Sequence, residues 1–137
     1  MKYFTIEEFT RSETAERLDI DNTPEDDEVE HIKELISVLD GLRESWGSAI
    51  LVTSGYRCRG LNQAVGGAKR SAHMCGYAAD LVPLNGKIKA FKEFCLDYFK
   101  DADYDELILE TKGESEWVHF ALYSIDGLQR GKCYDSK

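Results

Sequence analysis

Residues 22–46, NTPEDDEVEHIKELISVLDGLRESW, constrain the fold of this chain more than any other segment. Val29, Ile32, Leu35, Ile36, Leu39, Leu42 and Trp46 recur at intervals of three and four, so one stripe of a long helix is apolar and must lie against a core. The pattern predicts Thr23 as the N-cap and Pro24 at the first helical position. Acidic residues then crowd the positive end of the helix dipole, and Gly47 stops the helix.

The remaining segments supply what that stripe packs against. FTIEEF reads as a short helix start, with Thr5 as cap, Glu8 completing a capping box and Phe4 stapled to Phe9. AILVTS (49–54) is β-branched and bounded by glycines, so it reads as a buried strand. RGLNQAVGG predicts a helical turn stopped at Gly66–Gly67. AADLV (78–82) predicts a second strand, ended by Pro83. In KIKAFKEFCLDYF, Ile88, Phe91, Phe94, Cys95, Tyr98 and Phe99 mark a second amphipathic helix. DELILE and EWVHFALY, separated by TKGES, predict a β-hairpin over about residues 105–123. At 137 residues the chain is long enough for one well-buried core. The expectation is a single α+β domain over 1–137, with a small antiparallel sheet and flanking helices. Its core spans about 1–123, and LQRGKCYDSK is left as a polar tail.

A net charge of -9, with no Lys/Arg cluster to offset it, excludes nucleic-acid backbones and anionic lipid as natural partners. No apolar run approaches the ~18 residues of a membrane span. Acidic residues interrupt MKYFTIEEFT before a signal-peptide core could form, so cytoplasmic synthesis is expected, with any target outside reached by another route. Cysteines 58, 75, 95 and 133 are far apart and form no C-x-x-C. That spacing predicts free thiols rather than disulfides or a four-cysteine zinc site.

Only three histidines are present, and two of them fall where chemistry is plausible. His73 lies in the loop SAHMCG, Asp80 on the strand that follows, and His119 in the hairpin. Two imidazoles and a carboxylate form an open ligand set for Zn²⁺, leaving a fourth position for water. His119 sits in an apolar strand, where an unpaired imidazole is costly to bury. Asp80, between AA and LVP, needs a partner that a metal or an arginine could supply. His31, flanked by Glu30 and Lys33, reads instead as a surface residue of the long helix.

VTSGYRCRGLNQAVGGAKRSAHMCGYAADL followed by EWVHFAL resembles the zinc D-Ala-D-Ala carboxypeptidase family. Vancomycin-resistance D,D-dipeptidases, phage cell-wall endopeptidases and the Hedgehog signalling domain share its fold. Ser71, His73 and Asp80 match its S-x-H-x6-D element, Glu116 and His119 its E-x-x-H, and Tyr56 and Arg57 the upstream SGYR. The resemblance covers about residues 1–123. It implies that His73, Asp80 and His119 hold zinc, that Glu116 is the general base and that Arg57 stabilises the oxyanion. Ser71 and Tyr56 would orient substrate or support the loop.

The strand geometry sits uneasily with one of these roles. Glu116 and His119, three apart, point to opposite faces of a regular strand. Glu116 reaches the metal only if the chain is still turning there; Glu114 competes by spacing, and Glu110 is an acid on the facing strand. Cys58 stands where a small hydroxyl residue is expected, and Cys75 is close enough to His73 to be weighed as a ligand. The resemblance implies a zinc peptidase acting on peptidoglycan stem peptides, as a D,D-carboxypeptidase or a lysin-type endopeptidase released with a holin's help; the sequence does not fix the oligomeric state, and a monomer is the expectation. The alternative is a non-catalytic zinc-stabilised binding module of the same fold.

Overall fold

Three helices open the chain in the computed structural model, which describes residues 1–137: α1 (Ile6–Thr10), α2 (Glu13–Arg17) and α3 (Asp26–Trp46). Both backbone and side-chain bonds of the expected Thr5–Glu8 capping box form, and Phe4 meets Phe9 edge-on at 5.8 Å. In α3, Ile32, Leu35, Ile36, Leu39 and Leu42 are completely buried, with Val29 and Trp46 half-buried at the ends of the stripe.

The start of α3 differs from the sequence expectation. Asp21 Oδ1 captures both the Thr23 amide (3.0 Å) and the Thr23 hydroxyl (2.6 Å). Thr23 is thereby held in a local turn and the helix begins after Pro24, capped by a reciprocal Glu25–Glu28 pair. Gly47, in the left-handed region at φ 77°, ends the helix as expected.

The rest of the chain alternates strands and helices: β1 (Ile50–Ser54), α4 (Arg59–Ala64), a 3₁₀ turn at Ala72–Cys75, β2 (Ala78–Pro83), α5 (Ile88–Phe99), β3 (Glu106–Lys112), β4 (Ser115–Ala121) and β5 (Lys132–Asp135). The five strands form one sheet in the order β1-β2-β4-β3-β5. Pairing is antiparallel except between β3 and β5, which run parallel. The sheet is therefore mixed. The C-terminal segment, read from its polarity as a tail, supplies that fifth strand: the Lys132 amide donates to Asp105 O and the Ser136 amide to Leu109 O. Asp105 anchors it further by accepting Arg130 Nε (2.7 Å) and Nη2 (2.8 Å). Main-chain pairing along a free sheet edge does not require an apolar sequence, so polarity alone does not report it.

Strand alternation sorts the side chains onto two faces. Val52, Ala79, Leu81, Val118, Phe120 and Leu107 enter a single core with the buried stripes of α3 and α5. The other face carries Asp80, His119, Ile108, Glu106, Glu110 and Trp117, with Asp80 directly opposite His119, His119 opposite Ile108, and Trp117 opposite Glu110. A one-residue bulge between Val52 and Ser54 re-aims the end of β1 toward this face. No helix is long and apolar enough to cross a membrane.

Candidate metal centre

Two loops and two strands assemble the site. His73 stands in the 3₁₀ turn, which Ser71 caps by accepting the His73 amide (3.2 Å) and Gly76 ends at φ 85°. A Cβ at Gly76 would lie 2.8 Å from Glu28 O, so the turn packs tightly on α3. His31 secures the same turn: its Nδ1–H donates to Cys75 O (2.7 Å) while its ring stacks on Tyr77 at 4.2 Å. His31 is thus half-buried and structural rather than a surface residue.

The ligating atoms of His73, Asp80 and His119 lie within 4.8 Å of one another. Each imidazole is oriented through its outer nitrogen. His73 Nδ1–H donates to the carbonyl of Gly55 (2.7 Å), which leaves Nε2 facing Asp80 at 3.4 Å. His119 Nε2–H donates to Glu106 (3.1 Å), which leaves Nδ1 facing Asp80 at 3.1 Å. An acceptor behind each ring is what a metal-ligating histidine needs to hold its tautomer. With one carboxylate and two imidazole nitrogens converging, the residues fit a divalent ion of the zinc type.

The electrostatics follow from this packing. Burial holds the His73 imidazole below its ordinary pKa, outweighing the pull of Asp80, so the ring is neutral near pH 7. Burial also opposes a charge on His119. There the hydrogen bonds to Asp80 and Glu106 prevail, and the pKa is pushed up to about 9. For Asp80, the two imidazoles overcome desolvation and keep the carboxyl well below the usual carboxylate range.

Arg57 borders the three. Its Nη2 lies 3.6 Å from Asp80 Oδ2, its Nε donates to Ser54 Oγ (3.1 Å) and its Nη1 to Asn62 Oδ1 (3.2 Å). Burial lowers its pKa and Asp80 partly offsets this, in a group basic enough to stay charged. Around these residues opens a cleft of about 460 Å³, also lined by Glu106, Glu110, Trp117, Arg130 and Tyr134.

Five of the seven residues singled out from the sequence border this cleft: Arg57, Ser71, His73, Asp80 and His119. Tyr56 does not. It is buried in the main core, and its hydroxyl is directed at Glu28. Glu116 lies outside the cleft too. β4 is already regular at that residue, which pairs with Thr111, so its side chain points to the helix side of the sheet. There it accepts a 2.8 Å hydrogen bond from Lys92 Nζ, which also reaches Glu110 O at 3.2 Å. The hydrogen bond from Lys92 keeps the Glu116 carboxyl below its ordinary pKa. Glu114 is exposed in the two-residue hairpin turn behind Gly113, whose φ of 63° suits the first position of a type II′ turn.

All four cysteines are free, as their spacing predicts. Cys75 Sγ donates to Ala72 O (3.2 Å) and is not among the converging ligands. Cys58 Sγ takes the N-cap place of α4, accepting from the Leu61 amide at 3.4 Å, the role a small hydroxyl would have filled.

Glu106, Gly55 and Lys92 were not anticipated from the sequence. Glu106 was legible in principle, since the two acids of E-L-I-L-E are four residues apart and a period of two places Glu106 and Glu110 on one face. Lys92 falls within the buried stripe of α5, and an ammonium there calls for an acidic partner.

No curated protein matches the chain. A family model described as Peptidase M15 matches residues 2–121, which takes in the turn, strands β1 to β4 and every converging ligand. The chain belongs to the peptidase M15 family.

Proposed function

We propose that this M15 peptidase is a zinc enzyme hydrolysing peptide bonds in peptidoglycan stem peptides. The observation that carries the reading is the convergence of His73 Nε2, Asp80 and His119 Nδ1, both rings anchored from behind, beside the fixed guanidinium of Arg57. Zn²⁺ held by these residues would acidify a water and polarise the scissile carbonyl. Arg57 would meet the negative charge that develops on the carbonyl oxygen, its fork already held by Ser54 and Asn62. Ser71 shapes the ligand turn, and Tyr56 packs the loop that presents Arg57. Within this reading, a D,D-carboxypeptidase releases one terminal D-Ala and a lysin-type endopeptidase cuts inside the stem.

Mass spectrometry of purified stem peptides incubated with zinc-loaded protein tests the proposal, with His73→Ala, Asp80→Ala and His119→Ala as controls. Cleavage by the wild type, lost together with zinc in the three variants, is expected. Loss of terminal D-Ala identifies a carboxypeptidase and internal cleavage an endopeptidase. A wild type that binds one equivalent of zinc and cleaves no stem peptide would refute the reading in favour of a non-catalytic zinc module.

A further inference from the structure

We infer that Glu110, rather than Glu116, is the carboxylate that carries the proton in this cleft. The inference rests on the zinc-peptidase reading and adds its missing general base. Every M15-type hydrolysis of the kind proposed needs a carboxylate that faces the attacking water and is free to accept a proton. The acids of this region are distinguished by what already holds them. Asp80 is bound by both imidazoles and approached by Arg57. Glu106 accepts from His119 Nε2, and Arg130 pairs with Asp105. Glu116 is on the far face, bound to Lys92, whose side chain is almost wholly buried. Glu110 lines the cleft, and its carboxylate has neither a hydrogen bond nor an ion pair; Lys92 reaches its backbone oxygen and not its side chain.

Its reach is also suitable. Glu110 pairs with Trp117, two residues before His119 on the same face of β4. Diagonal neighbours of this kind are about 7–8 Å apart, a span that a glutamate side chain and one water cover together. Lys92 links the two candidates physically, binding the carboxylate of Glu116 and the main chain of Glu110. Glu116 thus braces from behind the strand that presents Glu110.

The proton balance is simple. As the water oxygen bonds to the scissile carbon, its proton passes to Glu110 Oε, and Arg57 faces the resulting oxyanion. When the C–N bond breaks, Glu110 returns that proton to the leaving amine nitrogen and is again a carboxylate. No oxidant or second reactant is required.

The test compares Glu110→Gln and Glu116→Gln with the wild type, each loaded with zinc, on the stem peptide that the wild type cleaves. Zinc affinity by competition with a chromophoric chelator and thermal melting are measured alongside turnover. For E110Q the expected result is a kcat lower by about 10²–10⁴-fold, with zinc affinity and melting temperature unchanged. For E116Q it is retained turnover with a lower melting temperature, because Lys92 loses its partner. Wild-type turnover in E110Q, or loss of zinc from it, would overturn the inference. So would loss of turnover in a folded, zinc-bound E116Q. These failures all presuppose a wild type that cleaves; an inactive zinc-bound wild type would instead remove the peptidase reading and this inference with it.

Discussion

Metal uptake should compete with a single proton, on His119. This ring lies between two carboxylates, Asp80 Oδ1 at 3.1 Å and Glu106 Oε1 at 3.1 Å, and when protonated donates to both. Its pKa of about 9 means that the ring is charged at pH 7. Binding a cation at Nδ1 must expel the Nδ1 proton, while the Nε2 proton stays on the bond to Glu106. Two pH units below the pKa, the penalty is about 100-fold in affinity, or about 2.7 kcal/mol. His73 is already neutral and Asp80 already ionised near pH 7, so neither adds to the slope. Zinc affinity, measured by chelator competition, should therefore rise about tenfold per pH unit from about pH 6 to 8 and level off toward 9. Calorimetry in buffers of different ionisation enthalpy should count about one proton, that of His119, released per zinc near pH 6, below the range in which a zinc-held water ionises. In Glu106→Gln the plateau should begin at lower pH, because one of the groups that raise the His119 pKa is gone. Its affinity on the plateau should fall by about 10–100-fold, since the ring loses its anchor. A pH-independent affinity between about pH 6 and 7, or binding that releases no proton, would refute this account of the site.

Other perturbations follow from the packing. Arg57→Ala should lower kcat by about 10²–10³-fold, with zinc content unchanged; metal loss would make Arg57 a structural prop instead. Gly55→Ala puts a Cβ 2.4 Å from Phe9 O, so the variant should melt earlier, by about 1–3 kcal/mol of stability. Because Gly55 O also anchors His73, that variant should bind zinc more weakly, as chelator competition would report. Leu39→Ala, at a completely buried position of α3, should cost about 2–5 kcal/mol in denaturant unfolding and leave the zinc affinity of the folded protein unaltered.

Periodicity made much of this molecule legible before its structure. The stripes of α3 and α5, the glycine-bounded β1 and the hairpin all declare themselves by spacing, because burial enforces period 3.6 or period 2. Asp80 and His119 could be chosen because a buried imidazole or carboxylate in an apolar strand needs a partner, and His73 because it stands in the loop that leads into the strand of Asp80. What stayed hidden depended on main-chain atoms or on register. Gly55 O, which fixes the His73 ring, leaves no trace in composition. The β5 edge strand is paired through backbone amides, so its polar side chains concealed it. The face of Glu116 turned on whether β4 was regular from Ser115 onward, a distinction of a single residue. Strand alternation raised that conflict correctly, and the Lys92 bond shows how the protein uses the side chain on the other face.

The alternation in β3 bears on folding accuracy as well. A one-residue slip of β3 against its neighbours would exchange the faces of Glu106, Ile108 and Glu110 with those of Leu107 and Leu109. Two carboxylates would then enter the core beside Phe120 while two leucines were exposed, an exchange that costs several kcal/mol for each buried charge. The type II′ turn and the parallel β5 hold the same alignment from either end of the hairpin. Misregistered hairpins would thus be rejected by the very acids that shape the cleft, and a chain with Glu106 and Glu110 both replaced by leucine should refold to a more heterogeneous ensemble.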